Sequence, residues 1–391
     1  MLRLLKAHNI DITVVTSTGS DRSFVSDIDA LGIQQFRVPH ELTNGYPDMK
    51  VEGLSELVRQ SDVIWISDIE YLAAARLKRI RRDIPIIAQL HSPALICSLW
   101  TKLFGMREQC TTRCSPSRIT RCKQLTNDCL RSRWGRVDRR KAMIYALLDY
   151  AKGAVDFARW PMRTMPLTNI DGFVTVSRFA KSAFLTDLPQ LLQIPFEVVR
   201  NPVIVPEHIV HKDFDNTARI LYAGGPGMIK GPHLVLNSVK RLRQRGIRSP
   251  IVTMLGVQGD RWIEGIARQL GVESHVELLP RLTRAEMYAL MAESQVVLAP
   301  SIWPEVFGRV PVEANKLGTP AIVSNRGGLP ETIIDGVTGL VTEPSVEALA
   351  KSIDDALRAD WNRELIAHTA KERFDPESIV DDFIHFLETF I

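Results

Sequence analysis

Eleven short apolar runs, mostly without the alternation of a sheet that has one wet face, constrain the fold of this chain more than any other feature. They fall at 12–16, 35–38, 63–67, 84–90, 172–176 and 197–200 in the first half. In the second half they fall at 219–223, 251–255, 276–279, 296–299 and 321–324. Strands covered on both faces read as continuous apolar runs, and the helical stretches between most of them are the crossovers that parallel strands need. The pattern predicts an α/β protein of doubly wound sheets, with ligands at the carboxyl edges of the strands. At 391 residues and 45% hydrophobic, two domains are expected, each with a core of its own. The stretch 201–216 interrupts the alternation with Pro202 and Pro206 and reads as the linker. The expected division is residues 1–203 and 204–375. An amphipathic terminal helix over 376–391, with Ile379, Phe383, Phe386 and Leu387 on one stripe, is expected to return to the first domain.

Composition narrows the classes. No apolar run approaches the ~20 residues of a membrane-spanning helix. Met1–His8 is too short and too charged to read as a secretory leader. The five cysteines (Cys97, Cys110, Cys114, Cys122 and Cys129), an odd count and sparse for this length, argue for a reducing, cytoplasmic setting rather than a disulfide scaffold. Residues 100–141 hold twelve lysines and arginines against three acids. Their net charge of +9, within a chain total of +4, predicts an anionic partner such as a membrane surface.

The chemistry concentrates in Pro304–Ala314, PEVFGRVPVEA. Glu305 and Glu313 stand eight positions apart around Phe307-Gly308, where a loop between two apolar runs turns into a helix. Backbone N–H groups at a helix start hold phosphate, and carboxylates hold sugar hydroxyls, so the ligand suggested is a nucleotide-activated sugar. Upstream, the glycine loop Gly224-Gly225-Pro226-Gly227 leads to Lys230 ahead of a helix expected near Pro232. A lysine there can neutralise a departing diphosphate. Lys230 occupies the third-glycine position of G-x-G-x-x-G, and the loop lacks G-x-x-x-x-G-K-[ST], which excludes the dinucleotide and P-loop readings.

With Pro300-Ser301, Gly318-Thr319-Pro320, Gly327-Gly328-Leu329-Pro330-Glu331 and Gly336–Val341 following in order, the chain resembles the retaining GT-B glycosyltransferases of glycosyltransferase family 4. The resemblance is strongest over 219–341. It implies two Rossmann-like domains facing across a cleft, a nucleotide-diphosphate sugar as donor, a hydroxyl acceptor and no obligatory cofactor. It implies His91, Lys230 and Glu305 as the catalytic group. Gly224, Gly225, Lys230, Arg281, Leu282, Glu305, Phe307, Gly308, Arg309 and Glu313 would line the donor site. Val176-Ser177-Arg178 matches the family's strand-to-helix turn. Two departures stand out. Relatives carry an arginine where this chain has Gly225, and their first strand and glycine loop have no counterpart ahead of Leu2, so the first domain is expected to lack that strand.

The cysteines are spaced C-x12-C-x3-C-x7-C-x6-C within the expected insert 97–141. Either a structural zinc or thiols packing a loop fits that spacing, which lacks paired C-x2-C knuckles. A helix expected over 138–160, basic at its start and flanked by Trp134 and Trp160, suits peripheral attachment to an anionic membrane. Two alternatives remain open: a non-catalytic relative that binds nucleotide sugar, and a basic membrane- or nucleic-acid-binding protein.

Overall fold

Strands buried on both faces assemble into parallel sheets, as the apolar runs demand. The structure, a computed structural model, describes residues 1–17, 28–38, 53–67, 74–92, 96–97, 103–104, 108–110, 118, 121–122, 165–206, 219–246 and 251–391. The helix expected over 138–160, Cys114, Cys129 and residues 207–216 of the linker lie outside the described residues.

In chain order the first half contributes α1 (Leu2–Ala7), β1 (Thr13–Ser17), β2 (Gln34–Val38), α2 (Leu54–Gln60), β3 (Ile64–Ser67), α3 (Ala74–Ile80) and β4 (Ile86–Leu90). Then follow β5 (Gly172–Thr175), α4 (Arg178–Asp187) and β6 (Phe196–Val198). A parallel sheet runs β3-β4-β5-β6, with Ile64 opposite Ile86, Ile87 opposite Gly172 and Phe173 opposite Phe196. β1 and β2 form a parallel ladder of their own, Thr13 opposite Gln34. Within the expected insert, Leu103–Phe104 pairs antiparallel with Glu108–Gln109.

The second half contributes β7 (Arg219–Tyr222), α5 (Pro232–Gln244), β8 (Ile251–Leu255), α6 (Arg261–Leu270), β9 (Val276–Leu279), α7 (Arg284–Glu293), β10 (Val296–Ala299) and α8 (Arg309–Lys316). It closes with β11 (Ala321–Ser324), β12 (Gly339–Thr342), α9 (Val346–Arg358), α10 (Arg363–Arg373) and α11 (Pro376–Glu388). Its sheet is parallel throughout in the order β9-β8-β7-β10-β11-β12. Strand order therefore reverses between β7 and β10, and the loops after those two strands open a crevice there. β12 is absent from the eleven expected strands; in the sequence its residues stand only as part of the motif Gly336–Val341. Gly339 is needed because a Cβ there would lie 1.9 Å from the Ala321 carbonyl oxygen of β11.

The last helix returns to the first sheet. Ile379, Val380, Phe383, Phe386 and Leu387 of α11 share a buried cluster with Ile87, Val174, Val176, Leu4 and Leu5. The Trp65 and Phe383 rings meet edge to face at 5.0 Å. One buried cation joins the two chain crossings between the halves. Lys316, at the end of α8, donates to the carbonyls of Val203 at 2.7 Å and Phe374 at 2.8 Å. Burial holds its ammonium below the ordinary lysine range, with Asp375 partly opposing the shift. Lys316→Met would strip two enclosed carbonyls, each worth about 1–3 kcal/mol. A loss of roughly 2–5 kcal/mol is expected in urea unfolding.

His8 ties α1 to α11. Its Nδ1 donates to the Leu4 carbonyl at 2.9 Å, and its Nε2 lies 3.2 Å from Asp381 and 3.7 Å from Glu377. The Leu4 carbonyl, then the two carboxylates, raise the imidazole above its ordinary value. The protonated form is favoured by folding, so its contribution is complete below the unfolded value of about 6.5 and is lost as pH rises through the raised folded value. Thermal melts from pH 5 to 8 should show a decline in that window that His8→Gln removes.

Candidate active site

The crevice between β7 and β10 is built by close backbone approach. Gly231 has φ +80°, and a Cβ there would stand 2.2 Å from the Pro300 carbonyl oxygen. The Ile229 carbonyl accepts from Ile302 N at 2.9 Å and from Trp303 N at 3.2 Å. The turn carrying Lys230 is thus bonded directly onto the loop after β10. The Tyr222 ring fills the space under the glycine loop. A Cβ at Gly224 would be 2.5 Å from the Tyr222 hydroxyl, which donates to the Gly225 carbonyl at 2.8 Å. Burial pushes this phenol well above its ordinary value, and the Glu305 charge adds to the effect.

Two of the expected catalytic residues meet in that crevice. Lys230 Nζ lies 3.0 Å from Glu305 Oε2. Ser301 donates a short hydrogen bond to the other oxygen, Oε1. The Lys230 ammonium also sits 5.0 Å from the centroid of the Trp303 ring, within cation–π range. Glu305 is 14% exposed and Lys230 30%, so the pair is screened from water without being sealed off. A cavity of about 100 Å³ is lined here by Tyr222, Gly224, Lys230, Ser301, Glu305 and Arg309, among others. A larger concavity along α4, lined by Arg178, Lys181, Ser182, Leu185 and Thr186, shares none of these residues.

The loop bearing Glu305 is clamped on both sides. Val306 packs against the buried cluster of the first half and against the cluster that joins that half to α11, and buried Phe307 meets Phe374 edge to face at 5.9 Å. Gly308, at φ +114°, approaches Leu329 so closely that a Cβ would lie 2.5 Å from its side chain. Glu313, 5% exposed on α8, is held by Arg309 Nη2 at 3.3 Å and by the Tyr288 hydroxyl at 3.5 Å. Gly225, at φ +69°, and Arg281 border Gly256 at the same edge: a Cβ on Gly256 would meet Arg281 Cγ at 3.6 Å. Leu282 packs into the cluster that includes Tyr288 and Val310.

His91 follows β4 directly and is half-buried. It lies at the carboxyl edge of the first sheet, one strand from Ser177. Ser177 reaches the other half, because a Cβ on Gly328 would be 2.9 Å from its Oγ. The roles of Tyr222 and Trp303 were not readable in the sequence. Ser301 and Glu331 were visible only as motif members, and the spacing of Pro300-Ser301 to Glu305 is the signal that could have paired Ser301 with the carboxylate. Cys97 and Cys110 are buried and Cys122 half-buried. Among the described residues, no three His, Cys, Asp or Glu side chains are grouped to hold a metal ion, and no helix is long and apolar enough to cross a membrane.

Two parallel sheets with this crevice define the α/β fold of the GT-B glycosyltransferases. Residues 207–373, which carry Lys230, Glu305 and Glu313, match the model of the family Glycosyl transferases group 1. Solved structures extend the likeness of fold to the whole chain. A glycosyltransferase from Rickettsia africae aligns with TM-score 0.66 at 16% identity, covering 99% of this chain and 92% of its own. Anabaena Alr3699/HepE, solved with UDP and glucose, aligns with TM-score 0.65 at 17% identity, covering 99% and 94%. The D-inositol 3-phosphate glycosyltransferase of Mycobacterium marinum is 32% identical over 145 residues, 36% of this chain and 30% of its own length. The chain spans about half, or less, of the length of the curated relatives it matches.

The backbone approach at Gly231 is a direct test of this architecture. Gly231→Ala must relieve a left-handed backbone, at about 1–2 kcal/mol, and also a carbonyl overlap. A drop of at least ~2 kcal/mol in urea unfolding is expected, together with loss of the Lys230–Glu305 contact in a crystal structure of the variant.

Proposed function

We propose that the chain is a retaining glycosyltransferase of glycosyltransferase family 4 that moves a hexosyl group from a nucleotide-diphosphate donor to a hydroxyl acceptor. The observation that carries this reading is the Lys230–Glu305 pair, set where strand order reverses inside a glycosyl transferases group 1 domain. That Anabaena Alr3699/HepE holds UDP and glucose in the same fold supports a nucleotide-sugar donor.

In this reading the donor diphosphate lies over the glycine loop and the start of α8, where backbone N–H groups and Lys230 meet its charge. Glu313 accepts from the ribose hydroxyls. Glu305 accepts from hydroxyls of the sugar and favours positive charge developing at its anomeric carbon. The bond from that carbon to the diphosphate oxygen breaks as the acceptor oxygen attacks from the same face. The acceptor proton passes to the departing oxygen, so the configuration is kept without an enzymic nucleophile. His91 orients the sugar from the facing sheet. A product in glycan, polysaccharide or glycolipid synthesis, and a peripheral place at an anionic membrane through the basic stretch 100–141, complete the proposal.

Donors are to be screened by calorimetry with UDP-, GDP- and ADP-sugars, and transfer followed on the donor that binds. Glu305→Gln should lower turnover at least ~100-fold while changing nucleotide affinity only a few-fold. Undiminished transfer would overturn the reading. Binding without any turnover in the unaltered chain would favour a non-catalytic nucleotide-sugar binder instead.

A further inference from the structure

The first turn of α4 is capped from the opposite half of the molecule. Glu331, in the turn Leu329–Thr332, accepts from Arg178 N at 3.0 Å through Oε2 and from Phe179 N at 2.8 Å through Oε1. Ser177 accepts from Ala180 N at 3.1 Å. The opening N–H groups of a helix lack intrahelical acceptors, so these three are satisfied by one residue at the helix start and one carboxylate from the six-stranded side. The Arg178 guanidinium lies 3.6 Å from the same carboxylate, which is 18% exposed.

The turn that carries Glu331 also supports Glu305. Gly328 N donates to the Glu305 carbonyl at 2.6 Å. A Cβ on Gly327 would stand 2.3 Å from that carbonyl oxygen, and one on Gly328 would stand 2.5 Å from the Val306 carbonyl oxygen. Residues 327–331 therefore form a rigid wedge between the α4 start and the loop that presents Glu305. Arg373 steadies the wedge from behind, donating to the Glu331 carbonyl at 3.0 Å. In this arrangement the cavity beside Glu305 holds about 100 Å³. Small-molecule sites usually measure about 300–1,000 Å³.

We propose that Glu331 is an interdomain latch: its grip on the α4 start holds the two halves closed and fixes Glu305, and its release opens the cleft to ligand. Glu331 is thus a positioning residue, and its link to turnover rests on the reading under Proposed function. The latch itself needs neither donor nor catalysis to be seen. Glu331→Ala should accelerate amide exchange of Arg178 and Phe179 roughly tenfold or more, because each loses a charge-assisted acceptor. Ala180, held by Ser177, should change little. Small-angle scattering should report a larger radius of gyration for Glu331→Ala, and Glu331→Asp should restore part of the compaction. Ser177→Ala is the control for fraying of the helix alone: it should speed exchange at Ala180 without expanding the molecule.

Unchanged exchange at Arg178 and Phe179 would overturn the proposal. So would faster exchange with an unchanged scattering profile, or an equal expansion in Ser177→Ala. If Glu331→Ala does not fold, Glu331→Gln carries the same test, since one of its two acceptors becomes a donor facing an N–H. A chain that opens on mutation yet transfers no sugar would retain the latch and lose only the catalytic reading.

Discussion

The site depends on a loop held between two cores. Half-buried Val306 packs against the first-half cluster and the cluster shared with α11, Phe307 is buried against Phe374, and Glu305 is the residue just before them. A carboxylate on a free surface loop would sample many positions. Here its neighbours on one side are fixed by burial worth about 1.5–3 kcal/mol for each large apolar side chain. The residues beyond it are fixed by glycines that admit carbonyls at distances no Cβ would allow. The position of Glu305 is therefore a property of the packing of both halves, and the fold and the chemistry are linked at this point.

The same logic explains the charges. Lys230 and Glu305 are each partly withdrawn from water, and an unpaired ion in such a place is costly. They neutralise each other at 3.0 Å, with Ser301 donating to the second carboxylate oxygen. An arriving diphosphate could replace Glu305 as the lysine's partner only if the carboxylate gained donors in exchange, and sugar hydroxyls are donors of that kind. A nucleotide sugar supplies both replacements at once, whereas a bare nucleotide supplies the anion alone. In the proposed reading the pair would discriminate by what both ends of a ligand can offer.

The fold was legible in the sequence because doubly covered parallel strands leave an unambiguous apolar record. All eleven expected runs differ from the observed strands by no more than two residues at either end; the largest differences are the early start of 84–90 and the late end of 197–200. β12 escaped because its residues stood only as a motif, and its glycine answers to the Ala321 carbonyl, a contact that spacing cannot show. The site was legible in part for a similar reason. Lys230 and Glu305 stand at loop-to-helix junctions, and Glu313 lies on the helix that follows, eight positions after Glu305. Tyr222 reads as one more residue of a strand, and Trp303 as one more aromatic beside a proline. Their roles arise only when β7 and β10 are placed side by side.

That adjacency also bears on the missing arginine. A side chain at Gly225 would extend into open space, with no heavy atom within 4 Å of a Cβ, yet the backbone stands at φ +69°. Any other residue would carry the strain of a left-handed conformation, so an arginine cannot simply be restored on this loop. The chain instead surrounds its single lysine. The Trp303 ring lies beneath the ammonium at 5.0 Å, the Tyr222 hydroxyl fixes the loop backbone through the Gly225 carbonyl, and Gly231 docks the turn on Pro300. A second cation would add charge but would still have to be ordered on binding. A single cation that is already ordered loses little freedom when an anion arrives, and an aromatic face favours the charged form without competing for the ligand's oxygens. In the proposed reading, order around Lys230 is what this loop would offer in place of the absent charge.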